Sequence, residues 1–145
     1  MKRIIRILMF LNLAFVYRAS AQDFDSARIY PLCMKSTYRI AIDRGMIKGN
    51  VDTVINVDGI KADSLYSMFQ NNIKSKYIRT MPESRSYIDI RLGIEFFKQG
   101  KVVTNVGVTE QETLYIYNVL YSYSVRKLKL LDTLFPNISK LLCLD

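Results

Sequence analysis

YIDIRLGIEFF, residues 87–97, alternates between apolar and other side chains along its length. In an extended chain, successive side chains point to opposite faces. Ile88, Ile90, Leu92, Ile94 and Phe96 therefore share one face, and Asp89, Arg91, Gly93 and Glu95 share the other. This predicts a strand with one dry and one wet face, as antiparallel sheets commonly have. Lys98-Gln99-Gly100-Lys101 reads as a turn, and KVVTNVGV, residues 101–108, as the returning strand of a hairpin. Five large apolar residues on the dry face place the 88–96 strand at the centre of the sheet. Tyr87, Arg91, Glu95 and Phe97 are then the expected exposed contacts of the wet face.

Moving toward the C-terminus, TLYIYNVLYSY, residues 113–123, holds four tyrosines. Its β-branched and aromatic residues favour strand. Thr109-Glu110-Gln111-Glu112 matches a capping box and supports a helix instead. A helix over 110–135 would be ~39 Å long at ~1.5 Å per residue, in a domain whose radius of gyration should be ~14 Å. Strand with a bend near Asn118 is the expectation, and helix stays open as the alternative. A hairpin turning at Asn118-Val119 places Tyr115 and Tyr117 with Leu120, and Tyr121 and Tyr123 with Leu114 and Ile116. A strict two-residue turn there would give β-branched Val119 a positive φ, so a looser loop is expected. Beyond it, a helix is predicted over about 124–135. Ser124 is its cap, Val125, Leu128, Leu131 and Phe135 its apolar stripe, and Pro136 its stop.

Toward the N-terminus, residues 81–86 read as a loop. Leu65, Met68, Phe69, Ile73 and Tyr77 recur at helical spacing behind Asp63, predicting a capped helix over about 63–76. VDTVINV (51–57) and TYRIAID (37–43) alternate as strands, separated by a loop containing Gly45 and Gly49. Asp58-Gly59 is a turn signal. Residues 22–36 show no sustained period and contain Pro31, so they read as a lead-in segment before a single domain spanning 37–145. The predicted fold class is α+β: a mostly antiparallel sheet of four to six strands, one helix between strands and one ending the chain.

Residues 1–21 have the layout of a secretory signal peptide: Lys2, Arg3 and Arg6, an apolar run from Ile7 to Tyr17, then Ala19-Ser20-Ala21. The run is too short to span a bilayer, which takes about 20 residues. Cleavage after Ala21 removes four basic residues and no acidic ones. The 124 residues left carry 17 basic against 13 acidic, so the net charge falls from +8 to +4. That balance fits an exported soluble chain and gives no basic cluster for nucleic acid. No span should remain after cleavage. In an oxidising compartment Cys33 and Cys143 can pair, closing a long loop. Both sit among apolar neighbours, so two buried thiols are equally consistent with the sequence.

The composition also excludes chemistries. With no histidine, Ser-His-Asp, Cys-His and His-metal sites are ruled out. Two cysteines cannot make a Cys₄ zinc site, and no phosphate-cradling loop is present. Asp89 and Glu95 share a strand face but lie ~20 Å apart at ~3.4 Å per residue, beyond the roughly 5–9.5 Å of glycosidase carboxylates. No catalytic residue, metal ligand or cofactor is predicted. Two functional readings follow. The first is an exported, non-catalytic binding or inhibitory module holding a protein partner at a sheet edge or on the wet hairpin face. The alternative is a small secreted hydrolase using carboxylates alone.

Overall fold

The structure, a computed structural model, describes residues 23–36, 42–43, 45–73, 79–80, 88–109, 113–116 and 119–144. The described strands are β1 (Ser26–Pro31), β2 (Ile55–Asp58), β3 (Arg79–Thr80), β4 (Ile90–Lys98), β5 (Lys101–Thr109), β6 (Thr113–Ile116) and β7 (Val119–Ser122). The helices are α1 (Ile47–Asn50), α2 (Gly59–Asn71), a 3₁₀ helix (Val125–Thr133) and a final turn, α3 (Ile138–Leu141). One sheet in the order β2-β1-β4-β5-β6-β7-β3 contains six strands of four or more residues and two-residue β3 at an edge. All its pairings are antiparallel. The fold is α+β.

The β4–β5 hairpin is central, as its alternation requires. Its two-residue turn has Gln99 at φ 51° and Gly100 at φ 71°, the paired positive values of a type I′ connection. The single dry face does not survive, because each strand contains a β-bulge. On β4, Ile90 pairs with Thr109 and Leu92 with Val108, leaving Arg91 as the extra residue. On β5, Phe97 pairs with Val102 and Phe96 with Thr104, leaving Val103 as the extra residue. A one-residue insertion reverses which face the following residues occupy. Leu92, Ile94 and Phe96 enter the main core, while Ile88 and Ile90 join a smaller cluster with Tyr30, Leu32, Ile42 and Ile47 on the other side.

The expected wet face is therefore covered at its base. Gly93 and Gly107 are cross-strand partners, flanked in the same row by Tyr30 and Tyr115. The missing side chains form a trough, which Ile47 of α1 and Ile90 fill. A Cβ on Gly93 would meet Ile47 at 3.1 Å, and one on Gly107 would meet Ile90 at 2.9 Å. Asp43 braces the turn that precedes α1, its Oδ1 accepting from the Gly45 and Met46 amides at 2.7 and 2.8 Å.

Residues 22–36 are not a lead-in. They supply β1, hydrogen-bonded between β2 and β4. Ala27 and Ile29 face the main core, and Tyr30 and Leu32 the second cluster. From Ile29 onward both faces are buried, so only the short Ala27-Arg28-Ile29 stretch alternates, too little to mark a strand. Pro31 comes after the last β1–β2 pair, Ile29–Ile55, a position where a strand tolerates a missing N–H. Phe24 precedes β1, clusters with Tyr66 and Phe96 at 4.8–5.2 Å between ring centroids, and donates its amide to Asp63 at 3.0 Å.

Asp63 is thus not the helix cap. Asp58 is, its Oδ1 accepting from the Lys61 amide at 3.0 Å, and α2 starts four residues earlier than the predicted 63–76 helix. Leu65 and Phe69 are buried as expected, whereas Tyr77 lies outside the described residues. Of the predicted 51–57 strand only residues 55–57 form one, as part of β2. Most of 37–43 also lies outside the described residues. Ile42, at its end, donates to Asp89 Oδ1 at 3.0 Å and accepts from the Ile90 amide at 2.7 Å.

The tyrosine-rich stretch is a hairpin. Ile116 pairs with Val119, Tyr115 with Leu120 and Leu114 with Tyr121. The residues that connect the two strands, 117–118, lie outside the described residues, and so does the expected looser loop. Val119 belongs to a strand, so the β-branching objection does not arise. The tyrosines are split as the hairpin reading requires: Tyr121 packs against the main core and Tyr123 lies in it, while Tyr115 lies on the opposite face. Tyr117 is outside the described residues.

The terminal helix is present, but as 3₁₀ over most of its length. Val125, Leu128, Leu131 and Leu134 recur at a spacing of three, the period that aligns side chains in a 3₁₀ helix. Leu128 and Leu131 are fully buried. The chain then folds back, and Cys143 forms a disulfide with Cys33, with Cα atoms 5.0 Å apart across 110 residues of sequence. The Met34 amide donates to the Leu142 carbonyl beside it at 2.9 Å. Among the described residues, no helix is long and apolar enough to cross a membrane.

Candidate functional site

Of the four expected contacts on the hairpin's wet face, Glu95 and Phe97 keep that side of β4 but are partly covered, the Glu95 side chain being 14% exposed. Tyr87 is outside the described residues. Arg91, expected to be exposed, is 2% exposed: it is the extra residue of the β4 bulge, and its guanidinium pairs with the Asp89 carboxylate. The alternation that assigned it outward fails at the bulge. Glu95 and Phe97 lie past the bulge and keep their expected side.

Strand register puts three further residues beside them. Arg28 pairs with Asn56 on one side and Glu95 on the other, and Glu95 pairs with Asn105. Asn56, Arg28, Glu95 and Asn105 thus form a polar row across four strands. The Arg28 guanidinium carbon sits 5.0 Å from the Phe97 ring centroid, a cation–π contact that leaves Phe97 half-buried.

Glu95 anchors the inner border of the row. It accepts from the Tyr30 hydroxyl at 2.9 Å and pairs with Lys48 of α1 at 2.6 Å. Lys48 also lies 5.9 Å from the Tyr30 ring centroid. Burial raises the Tyr30 pKa above its ordinary value, and the hydrogen bond and negative charge of Glu95 raise it further. Tyr30 therefore stays a neutral donor at physiological pH. Because Lys48 is half-exposed, the ion pair contributes at most ~1 kcal/mol, and its structural effect is to fix Glu95 in place.

The hollow bordered by Tyr30, Lys48, Glu95 and Asn105 has room for about one water molecule. One carboxylate lines it, where acid–base hydrolysis needs a pair. No cluster of three metal-ligating side chains occurs among the described residues.

The tip of the hairpin extends the surface. β6 pairs with β5 only over Val106–Val108, and β1 follows β4 as far as Phe97. Lys101–Thr104 of β5 therefore has a strand neighbour on the β4 side alone among the described residues. Val102 and Val103, in this overhang, are 45% and 46% exposed. Sequence reasoning missed Arg28, because β1 itself was missed, and missed the overhang, because strand ends depend on the neighbours. The two adjacent valines after the turn were the available signal. The chain matches no protein-family model, no curated protein and no solved structure.

Proposed function

We propose that this protein is an exported, non-catalytic binding or inhibitory module that holds a protein partner at the tip half of the β4–β5 hairpin. Export rests on the signal-peptide layout of residues 1–21, and the Cys33–Cys143 disulfide is compatible with it. The binding role rests on one observation: two adjacent exposed valines lie on a half-strand whose outer edge has no described neighbour, next to the Arg28–Phe97 stack. An open edge offers main-chain hydrogen bonds to an added strand, and flanking side chains give selectivity. The Val103 bulge and the flanking Lys98 and Lys101 hinder indiscriminate edge pairing, which favours a partner shaped to this segment.

A photo-crosslinking residue at Val103, expressed in the native host, should give one adduct of discrete mass. The same residue at exposed Ser67 on α2 should give none. Equal labelling at both positions, or none at Val103, sinks the binding reading. N-terminal sequencing of the same material tests export separately. A chain beginning at Gln22 supports it and one beginning at Met1 overturns it.

A further inference from the structure

A second surface, at the C-terminus, carries a different charge character. Once residues 1–21 are set aside, half of the net +4 comes from residues 124–145, with four basic residues against two acidic. The 3₁₀ helix decides how those charges are displayed. Because its side chains repeat every three residues, it has three ridges. The ridge containing Leu128 and Leu131 is buried in the core. The other two, Arg126-Lys129-Asp132 and Lys127-Leu130-Thr133, face outward, with Arg126, Lys127, Lys129 and Leu130 exposed. Asp132 is turned to structural use, its Oδ1 accepting from the Ser139 amide at 3.0 Å. That bond docks the final turn beside the helix, adding exposed Lys140 and Leu141. Leu130 and Leu141 are 41% and 42% exposed.

We infer that this face is a peripheral docking surface for an anionic lipid bilayer. Three features favour a membrane over an acidic protein. The cations are three lysines and one arginine, and lysine acts as a mobile point charge suited to diffuse headgroup charge rather than to fork-shaped recognition of one carboxylate. Long basic side chains can reach headgroups while the leucine between them enters the interface. The exposed leucines are two isolated side chains, too little apolar area for the core of a stable protein interface.

The test measures sedimentation with vesicles of phosphatidylglycerol and phosphatidylcholine against vesicles of phosphatidylcholine alone, using the full chain as recovered from its host with the disulfide intact. Binding is expected only to the anionic vesicles and should be lost in high salt. Each basic residue near such a surface contributes about fivefold in affinity, so Lys127→Gln/Lys129→Gln/Lys140→Gln should weaken binding roughly a hundredfold. Lys61→Gln/Lys98→Gln/Lys101→Gln removes the same charge elsewhere and should leave binding within a few-fold of wild type. All these chains share one N-terminus, so any contribution from it cancels. Equal losses in the two triple variants would show net charge alone at work and overturn the proposal. So would equal binding to both vesicle types, or binding to a soluble acidic protein without binding to vesicles.

Discussion

The base and the tip of the β4–β5 hairpin each contain a β-bulge, with opposite consequences. At the base, Arg91 is inserted where the chain leaving β1 crosses β4, its carbonyl accepting from the Leu32 amide, and the bulge sends Ile88 and Ile90 into a second core with Ile47 of α1. At the tip, Val103 is inserted where β5 has no outer neighbour among the described residues, and the bulge leaves two valines in solvent. The lesson is that a bulge redirects side chains, and what covers the strand decides whether the result is core or surface. Stability should concentrate at the base and binding at the tip.

The largest expected effect is at the base. Cys33→Ser/Cys143→Ser, or reduction of the bond, opens a link across 110 residues of sequence. The chain-entropy argument assigns this about 4–5 kcal/mol. Urea unfolding of oxidised and reduced protein measures it. A loss under ~1 kcal/mol would mean that the core alone holds the base together.

Ile90→Asp places an unpaired charge in the second cluster and should cost on the order of 3–5 kcal/mol. Circular dichroism melting reads it directly. A wild-type melting temperature would show that the second cluster is not a core and remove half of the contrast.

Tyr123, just past β7 and also at the base end, gives a pH-dependent test. Burial pushes its pKa up to about 12 from 10.0, so the unfolded chain ionises it first. Its contribution is complete below pH 10, declines as pH rises from 10 toward 12, and amounts to roughly 2–3 kcal/mol. Tyr123→Phe should lack this alkaline loss. The Tyr123 hydroxyl is buried without a hydrogen-bond partner among the described residues. The variant should therefore be about 1 kcal/mol more stable at neutral pH. Denaturant titrations at pH 7 and pH 11 compare the two proteins.

The smallest stability effect belongs to the tip. Val102→Thr/Val103→Thr should shift stability by no more than ~0.5 kcal/mol while abolishing the partner crosslink, now read from a photo-crosslinker placed at Lys101. A large destabilisation would make the valines structural and merge tip with base.

Much of the fold was legible because local periodicity carries it. The 88–96 alternation and the Gln99-Gly100 turn specify the hairpin. The spacing of Leu65 and Phe69 identifies the buried face of α2, and the strand-favouring residues of 113–123 make a hairpin that splits the tyrosines. Of the expected contacts, Glu95 and Phe97 keep the expected side of the strand, though partly covered, and Arg91 does not. Periodicity reports how side chains distribute around one element, and here it served where that element faces water on one side. It was silent on β1, whose second half has core on both faces, and on the β4 bulge, which leaves the sequence alternation intact while changing the register. It gave a helix over about 124–135 but not its 3₁₀ winding, since a three-residue spacing is tolerated over short lengths by either helix. It could not pair Cys33 with Cys143, or bring Arg28 to Glu95 and Phe97. Those proximities depend on contacts between segments distant in sequence, and only the packed sheet brings such segments together.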